Sequence, residues 1–138
     1  VAAEVGASEH QAGLALDLYV PQFGGWAFTK SAAGRFVDTN CRYYGFIVRY
    51  PSYGEKQTGI PYEPWHLRYI GLPHSQIIMD EYLTLEEYID LLKPGSFYQY
   101  GSYLISHQNG RVIDAPSGWK HVTVSEDNLG GYLFTWEL

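Results

Sequence analysis

The alternation of apolar and polar side chains over residues 14–20 constrains the fold of this chain more than any other feature. The apolar positions of one face are Leu14, Leu16, Leu18 and Val20. Asp17 falls on the opposite face, and because successive side chains of a strand point to opposite faces, the segment predicts a half-buried β-strand. Residues 65–70, WHLRYI, alternate in the same way and predict a second strand, with His66 and Arg68 on one face.

Helical periodicity is present in three further segments, and one more segment is typical of a strand. Residues 31–44 carry apolar side chains at three- and four-residue spacing behind a serine N-cap, which predicts a helix. The apolar positions of this helix are Ala33, Phe36, Val37, Cys41 and Tyr44. A shorter helix is predicted over 73–80, and Thr84 and Glu87 form a capping box that begins another helix. Residues 46–50, FIVRY, are rich in β-branched and aromatic side chains and predict a strand.

Strand-like runs dominate the C-terminal part of the chain. Asn109-Gly110 stands between two such runs and predicts a hairpin turn. Residues 121–124 and 131–138 predict two more strands.

These elements predict an α+β fold. We expect a small, mainly antiparallel sheet with flanking helices over residues 1–95 and a β-rich C-terminal extension over 96–138. With 138 residues, 46% hydrophobic and 17% aromatic, the chain can bury a real core. Its net charge of −6 disfavours a nucleic-acid partner. It contains no run of about 18 apolar residues, so no transmembrane segment is predicted.

A single cysteine, Cys41, excludes an internal disulfide and a zinc site built from cysteines. It lies on the apolar face of the helix over 31–44, so a buried thiol is predicted rather than a nucleophile. The HExxH helix motif is absent, so any zinc site has to be assembled from strands and loops.

Two histidines and two carboxylates are the candidates for metal-dependent chemistry. His10 and Asp17 lie seven residues apart, a pair that alone is more often structural. Adding His66 gives two imidazoles and one carboxylate, a common catalytic zinc set that leaves a position for water. Glu63, three residues before His66, is either the general base of such a site or an ordinary surface carboxylate. Arg68 either faces the same pocket or is solvent-facing or ion-paired.

Two motifs carry a family resemblance. SEHQAGLALD at 8–17 resembles the SxHxxGxAxD motif of the zinc D-alanyl-D-alanine carboxypeptidases of the VanY type. YEPWHLRYIG at 62–71 resembles the second motif of that family, ExxH followed by a basic and aromatic strand. The segments GLPHSQII and LTLEEY are most similar to the bifunctional VanXY subgroup, which combines D,D-dipeptidase and D,D-carboxypeptidase activities. The resemblance covers residues 5–92.

The resemblance implies a zinc peptidase of cell-wall metabolism that acts on peptidoglycan precursors and removes the target of vancomycin. The Zn²⁺ ligands that it implies are His10, Asp17 and His66. Glu63 becomes the general base and then the general acid. Ser8 helps to hold the terminal carboxylate of the substrate, and Trp65 walls the pocket. The expected partners are peptides or muropeptides that end in D-Ala-D-Ala, and the sequence gives no oligomeric state.

Members of this family carry an arginine-bearing helical region before the first motif, whereas seven residues precede Ser8 here. We therefore expect an N-terminal helical part of the catalytic domain to be missing from residues 1–95. VanXY-like members are cytoplasmic, and this is the expected location. The alternative is an extracellular protein that is anchored to the membrane through the missing N-terminal segment.

Other functions stay open on the sequence alone. An L,D-carboxypeptidase or another cell-wall zinc peptidase would use the same kind of site. A non-catalytic, zinc-containing binding module would share the sheet, as in hedgehog-type signalling domains. The presence of Glu63 favours an enzyme over a binding module.

Overall fold

The structure of the chain is a computed structural model that describes residues 8–110, 112–127 and 130–137. The chain divides into two compact units, Val1–Glu87 and Tyr88–Leu138. Helices occur together with antiparallel sheets, which confirms the expected α+β class. Within the described residues, none of the helices combines the length and the apolar character that crossing a bilayer requires.

The first unit contains a three-stranded antiparallel sheet with the strand order β1-β3-β2. The strands are β1, Ala15–Asp17; β2, Phe46–Val48; and β3, His66–Tyr69. Each lies inside a segment that was predicted as a strand and is shorter than that segment. Asp17 pairs with His66 and Leu16 pairs with Leu67, so the polar pair and the apolar pair lie on opposite faces.

Helices precede, separate and follow these strands along the sequence. The α-helices are α1, Ala32–Asn40; α2, Glu55–Thr58; α3, His74–Asp80; and α4, Leu85–Leu91. The 3₁₀ helices are Glu9–Ala12, Gly25–Lys30 and Cys41–Tyr44. The helices predicted over 73–80 and after Thr84 are confirmed as α3 and α4. The capping box is also confirmed, because the Thr84 N–H donates to the Glu87 carboxylate at 2.8 Å and the Glu87 N–H donates to the Thr84 hydroxyl at 3.2 Å. α2 lies between β2 and β3, where no helix was predicted.

Within the segment predicted as a helix over 31–44, α1 covers Ala32–Asn40 and the 3₁₀ helix Cys41–Tyr44 follows it, and only part of the predicted apolar stripe, Val37 and Cys41, faces the core. The Ser31 hydroxyl accepts a hydrogen bond from the Gly34 N–H at 2.8 Å, as expected of an N-cap. Gly34 and Cys41 are buried. The exposed members of the predicted stripe are Ala33, Phe36 and Tyr44. A Cβ at Gly34 would collide with the Phe28 carbonyl group, so the missing side chain allows the close packing that sets this face.

Three buried side chains, Cys41, Val48 and Leu67, form a core cluster in the first unit. The partly buried side chains packed against it are Leu16, Leu18, Val37, Phe46, Tyr62 and Met79. Burial raises the pKa of the Cys41 thiol to about 11, so the group stays protonated at neutral pH. Because the thiolate is the nucleophile, the prediction of a buried thiol without a nucleophilic role is supported.

His74, the first residue of α3, makes the stability of the fold sensitive to acid. It is buried, and burial lowers its pKa from 6.5 to about 4. The unfolded chain therefore binds the proton first, so the stabilising contribution of neutral His74 is complete above pH 6.5 and is lost as the pH falls towards 4. We expect this group to lower the free energy of unfolding by about 3 kcal/mol across that window.

Urea unfolding at a series of pH values measures this effect. His74→Gln should lose less stability on acidification than the wild-type chain, whereas replacement of the exposed His121 by glutamine should leave the pH dependence unchanged. An equal loss in His74→Gln and the wild-type chain would contradict the expectation.

The second unit contains a four-stranded antiparallel sheet with the strand order β4-β5-β7-β6. The strands are β4, Phe97–Tyr100; β5, Tyr103–Gln108; β6, Lys120–Glu126; and β7, Tyr132–Glu137. Ile105, Phe134 and Trp136 are buried, and the rings of the two aromatic residues stack with their centroids 5.5 Å apart. β6 and β7 occupy the segments predicted as the last two strands, and Leu138 lies outside the described residues. The division into a domain and an extension at residue 95 remains a prediction.

The hairpin predicted at Asn109-Gly110 is wrong. β5 pairs with β4 along one edge and with β7 along the other, so neither edge is free for a strand that follows the turn. Residues 112–119 form a loop. The side chain of Gln108, at the end of β5, donates to the Asp114 carbonyl oxygen of this loop and accepts from the Asp114 N–H, both at 2.8 Å. Arg111 lies outside the described residues.

Candidate metal centre

The register of β1 and β3 brings two of the expected metal ligands together. Asp17 and His66 are direct cross-strand partners, and Asp17 Oδ1 lies 2.8 Å from His66 Nδ1. His10 comes from the 3₁₀ helix Glu9–Ala12 before β1, and its Nε2 lies 3.5 Å from the same Asp17 oxygen. One ligand atom from each of the three side chains falls within 4.8 Å of the other two. Together they could bind a single metal ion.

Gly13 allows the chain to turn from this 3₁₀ helix directly into β1. Its φ is +69°, a left-handed conformation that side chains rarely adopt, and its N–H donates to the His10 carbonyl oxygen at 3.0 Å. The tight turn keeps His10 close to the end of β1, where Asp17 lies.

The three side chains differ in their exposure to solvent. The His66 side chain is 7% exposed, whereas those of His10 and Asp17 are 41% and 54% exposed. Burial disfavours protonation of His66, but its hydrogen bond with Glu9 and the charge of Asp17 outweigh burial and raise its pKa. A group that is open on one side suits a catalytic metal, which keeps a position free, better than a closed structural site.

The second nitrogen of each imidazole also has an oxygen partner. His10 Nδ1 lies 3.2 Å from the Ala15 carbonyl oxygen, which can only accept, so in the neutral ring Nε2 is free to bind a metal. His66 Nε2 lies 2.8 Å from Glu9 Oε1, on the side of the ring away from Asp17. Metal-binding histidines hold their remaining N–H in this way, and nitrogen ligands with a carboxylate oxygen suit Zn²⁺. The donor set therefore fits zinc.

Glu9 is a part of the site that the sequence did not reveal. Its carboxylate accepts from Arg68 Nη1 at 2.6 Å and from Arg49 Nε at 3.3 Å, in addition to its contact with His66. Burial opposes ionisation of Glu9, but the hydrogen bond with His66 and the two arginine charges lower its pKa to about 2. Arg49 also donates to both oxygens of Glu86, at 3.1 and 2.6 Å. Of the alternatives left open for Arg68, the ion pair is the one observed.

Glu63 is fixed through its backbone in the turn that leads into β3. Its N–H donates to the Tyr50 carbonyl oxygen at 3.0 Å, and its own carbonyl oxygen accepts from the His66 N–H at 3.1 Å. The buried Pro64 occupies the second position of this turn, where proline is favoured. Burial, together with the negative charges of Glu9 and Glu63, raises the pKa of Tyr50, whose ring centroid lies 5.0 Å from that of His66. The expected role of Glu63 as the general base remains a prediction.

Ser8 and Trp65 adjoin the candidate ligands along the chain. Ser8 is half-buried, and its carbonyl oxygen accepts from the Gln11 N–H at 3.1 Å at the start of the first 3₁₀ helix. Trp65 is also half-buried, and its carbonyl oxygen accepts from the Leu18 N–H at 2.9 Å. Their expected contacts with substrate remain predictions.

A family model matches the part of the chain that contains these residues. Residues 1–72 match the family model described as VanY: D-alanyl-D-alanine carboxypeptidase. The chain belongs to this family. The matched residues of this VanY-family chain include His10, Asp17, His66 and Glu63. The family expected from the two sequence motifs is confirmed.

Two enterococcal proteins illustrate the relationship. A D-alanyl-D-alanine carboxypeptidase of Enterococcus faecium is 37% identical in an alignment that covers 94% of this chain and 44% of the relative. The bifunctional D-Ala-D-Ala dipeptidase and D-Ala-D-Ala carboxypeptidase VanXYC of Enterococcus gallinarum is 47% identical in an alignment that covers 64% of this chain and 48% of the relative. The VanY-family chain thus spans less than half the length of these two relatives.

Solved structures extend the comparison to three dimensions. The D,D-dipeptidase VanXYg, in complex with a D-Ala-D-Ala phosphinate analogue, has a TM-score of 0.73 and 29% identity, covering 95% of this chain and 58% of its own. The LD-carboxypeptidase LdcB has a TM-score of 0.60 and 47% identity, covering 64% and 42%. A VanY D,D-pentapeptidase variant from a VanB-type resistance cassette, in complex with Zn(II), has a TM-score of 0.52 and 39% identity, covering 61% and 46%.

Proposed function

We propose that His10, Asp17 and His66 hold Zn²⁺ and that this VanY-family chain hydrolyses D-Ala-D-Ala, the terminal D-Ala of peptidoglycan precursors, or both. The observation that carries the proposal is the convergence of two imidazole nitrogens and one carboxylate oxygen within 4.8 Å. The Zn(II) complex of the related D,D-pentapeptidase supports the choice of metal. When bound, zinc would lower the pKa of a coordinated water molecule and polarise the scissile carbonyl group.

Glu63 moves the proton in this proposal. Its carboxylate takes a proton from the attacking water and then gives a proton to the nitrogen of the departing D-alanine. Two backbone hydrogen bonds and the buried Pro64 restrict the backbone that carries this side chain. Because its backbone is restricted, the Glu63 side chain samples fewer orientations than a mobile glutamate would, which favours a reactive geometry.

Ser8 and Trp65 have proposed roles in substrate binding. The Ser8 hydroxyl would donate to the terminal carboxylate of the substrate, and the Trp65 ring would form one wall of the pocket. Their positions next to Glu9–Ala12 and to His66, respectively, support these assignments. A role in cell-wall metabolism and vancomycin resistance, and a cytoplasmic location, are proposed from the similarity to the VanXY proteins.

An L,D-carboxypeptidase is the second candidate function, because LdcB is 47% identical over the part of the chain that it covers. D,D-hydrolysis is favoured because VanXYg covers 95% of this chain whereas LdcB covers 64%. A non-catalytic zinc module is less favoured, since such a module has no need of the carboxylate of Glu63.

D-alanine release distinguishes these functions. The zinc-loaded chain should be assayed with D-Ala-D-Ala, with a pentapeptide ending in D-Ala-D-Ala and with a peptide ending in L-Lys-D-Ala. We expect release from at least one of the first two substrates, faster than from the third and abolished by a chelator. Release from the third substrate alone would favour the L,D-carboxypeptidase. No release from any of them by a chain that contains zinc would contradict the proposed hydrolysis.

A further inference from the structure

The two oxygens of the Glu9 carboxylate face different partners. Oε1 lies 2.8 Å from His66 Nε2. Oε2 accepts from Arg68 Nη1 at 2.6 Å and from Arg49 Nε at 3.3 Å. The Glu9 side chain is only 14% exposed, so these partners, rather than water, satisfy most of its hydrogen-bonding capacity.

The arginines decide which way the hydrogen bond to His66 runs. A guanidinium group can only donate, so two arginines on Oε2 stabilise the ionised, acceptor-only form of Glu9. Oε1 can then only accept from His66, which favours the imidazole proton on Nε2. Asp17 Oδ1 lies 2.8 Å from Nδ1 and can also only accept, so two carboxylates compete for the single proton of the neutral ring. Asp17 is 54% exposed and can accept from water instead, whereas Glu9 is 14% exposed and held by the arginines, so the proton is expected on Nε2 and the free electron pair on Nδ1.

We propose that Glu9 is a positioning residue that fixes the tautomer of His66, so that Nδ1 is the atom presented to the metal, and that Arg49 and Arg68 hold Glu9 in this role. The effect of Glu9 on metal binding rests on the proposed zinc site. The tautomer of His66 does not, because it can be measured in the metal-free protein. Glu9 acts through His66, which it contacts at 2.8 Å, and is neither a candidate ligand nor the candidate base.

Glu9→Gln tests the inference sharply because it changes the chemistry with little change in shape. The two arginines require an acceptor, so they should attract the single amide oxygen of the glutamine. Its NH₂ group is then left facing His66 Nε2 and can only donate. The imidazole proton should move to Nδ1, where it points at the metal position and has to be displaced before zinc binds.

Glu86→Gln is the matched control. It also removes one negative charge from the partners of Arg49, but Glu86 has no contact with His66 among the described interactions. A merely electrostatic or structural effect of weakening this network should therefore appear in both variants, whereas a change of tautomer should appear only in Glu9→Gln.

Long-range ¹H–¹⁵N NMR of the metal-free chain, at a pH above the pKa of His66, distinguishes the protonated ring nitrogen from the unprotonated one. Signals that are absent from His66→Ala assign the residue. We expect the Nε2–H tautomer in the wild-type chain and in Glu86→Gln, and the Nδ1–H tautomer in Glu9→Gln. The dissociation constant for zinc, measured by competition with a chromophoric chelator, should rise about 10- to 100-fold in Glu9→Gln and stay near the wild-type value in Glu86→Gln.

Several results would overturn the inference. An Nδ1–H tautomer in the wild-type chain would overturn it, and this result does not depend on whether Glu9→Gln folds. Unchanged zinc affinity in Glu9→Gln, or an equal loss in both variants, would also do so while leaving the proposed zinc site intact. Failure of the wild-type chain to bind zinc would instead count against the proposed function, and the wild-type tautomer would still decide the role of Glu9.

Discussion

Replacement of Glu63 by glutamine should lower the kcat for D-alanine release by about 10²- to 10⁴-fold, the usual contribution of a general acid–base group. The amide has nearly the same shape as the carboxylate but cannot take a proton from water at neutral pH. None of the three candidate ligands is altered, so the zinc content of the variant should equal that of the wild-type chain.

The exposed Glu81 provides the matched control for this substitution. It lies at the C-terminal end of α3, and Glu81→Gln removes the same charge without touching the turn that contains Glu63. Steady-state kinetics and metal analysis of both variants separate loss of proton transfer from loss of metal. A Glu63→Gln variant that keeps its zinc and a near-wild-type kcat would rule out the proposed role of Glu63.

Replacement of His66 by alanine should weaken zinc binding by roughly a hundredfold or more. Structural zinc sites with four protein ligands bind with about 10–16 kcal/mol, or roughly 2.5–4 kcal/mol for each ligand, and a loss of that size corresponds to a change in affinity of about this order. Because His66 is buried, its removal also leaves a cavity, so circular dichroism has to establish that the variant folds.

His10→Ala tests the same site with less risk to the fold, since the His10 side chain is 41% exposed. It should also lower zinc affinity strongly, whereas alanine in place of the exposed His121 should leave it unchanged. Competition titration with a chelator measures all three variants. Wild-type affinity in both His66→Ala and His10→Ala would exclude the proposed ligand set.

The parts of the fold that follow from local patterns could be predicted from the sequence. Alternation placed Asp17 on the face opposite Leu16, and His66 on the face opposite Leu67, as the register of β1 and β3 bears out. Local signals failed where another part of the chain decided the outcome. Asn109-Gly110 has the residues of a hairpin turn, but β5 already has a partner on each edge.

For the candidate site too, local sequence patterns identified some residues, whereas others depend on contacts between distant parts of the chain. The motif spacing identified His10, Asp17, His66 and Glu63 as candidates. It could not assign a role to Glu9, because the partners of that carboxylate are Arg49 and Arg68, which the sheet brings in from distant parts of the sequence. A carboxylate directly before a candidate ligand was the one available signal, and spacing alone does not distinguish it from a surface glutamate.

The metal content of the wild-type chain tests the central claim most directly. The chain should be purified without chelators and analysed for metals together with the double variant His10→Ala, His66→Ala. We predict about one zinc ion per wild-type chain and almost none in the double variant, as expected of a single site with one set of ligands. A wild-type chain that is folded and contains no zinc, even after zinc is added, would contradict the account.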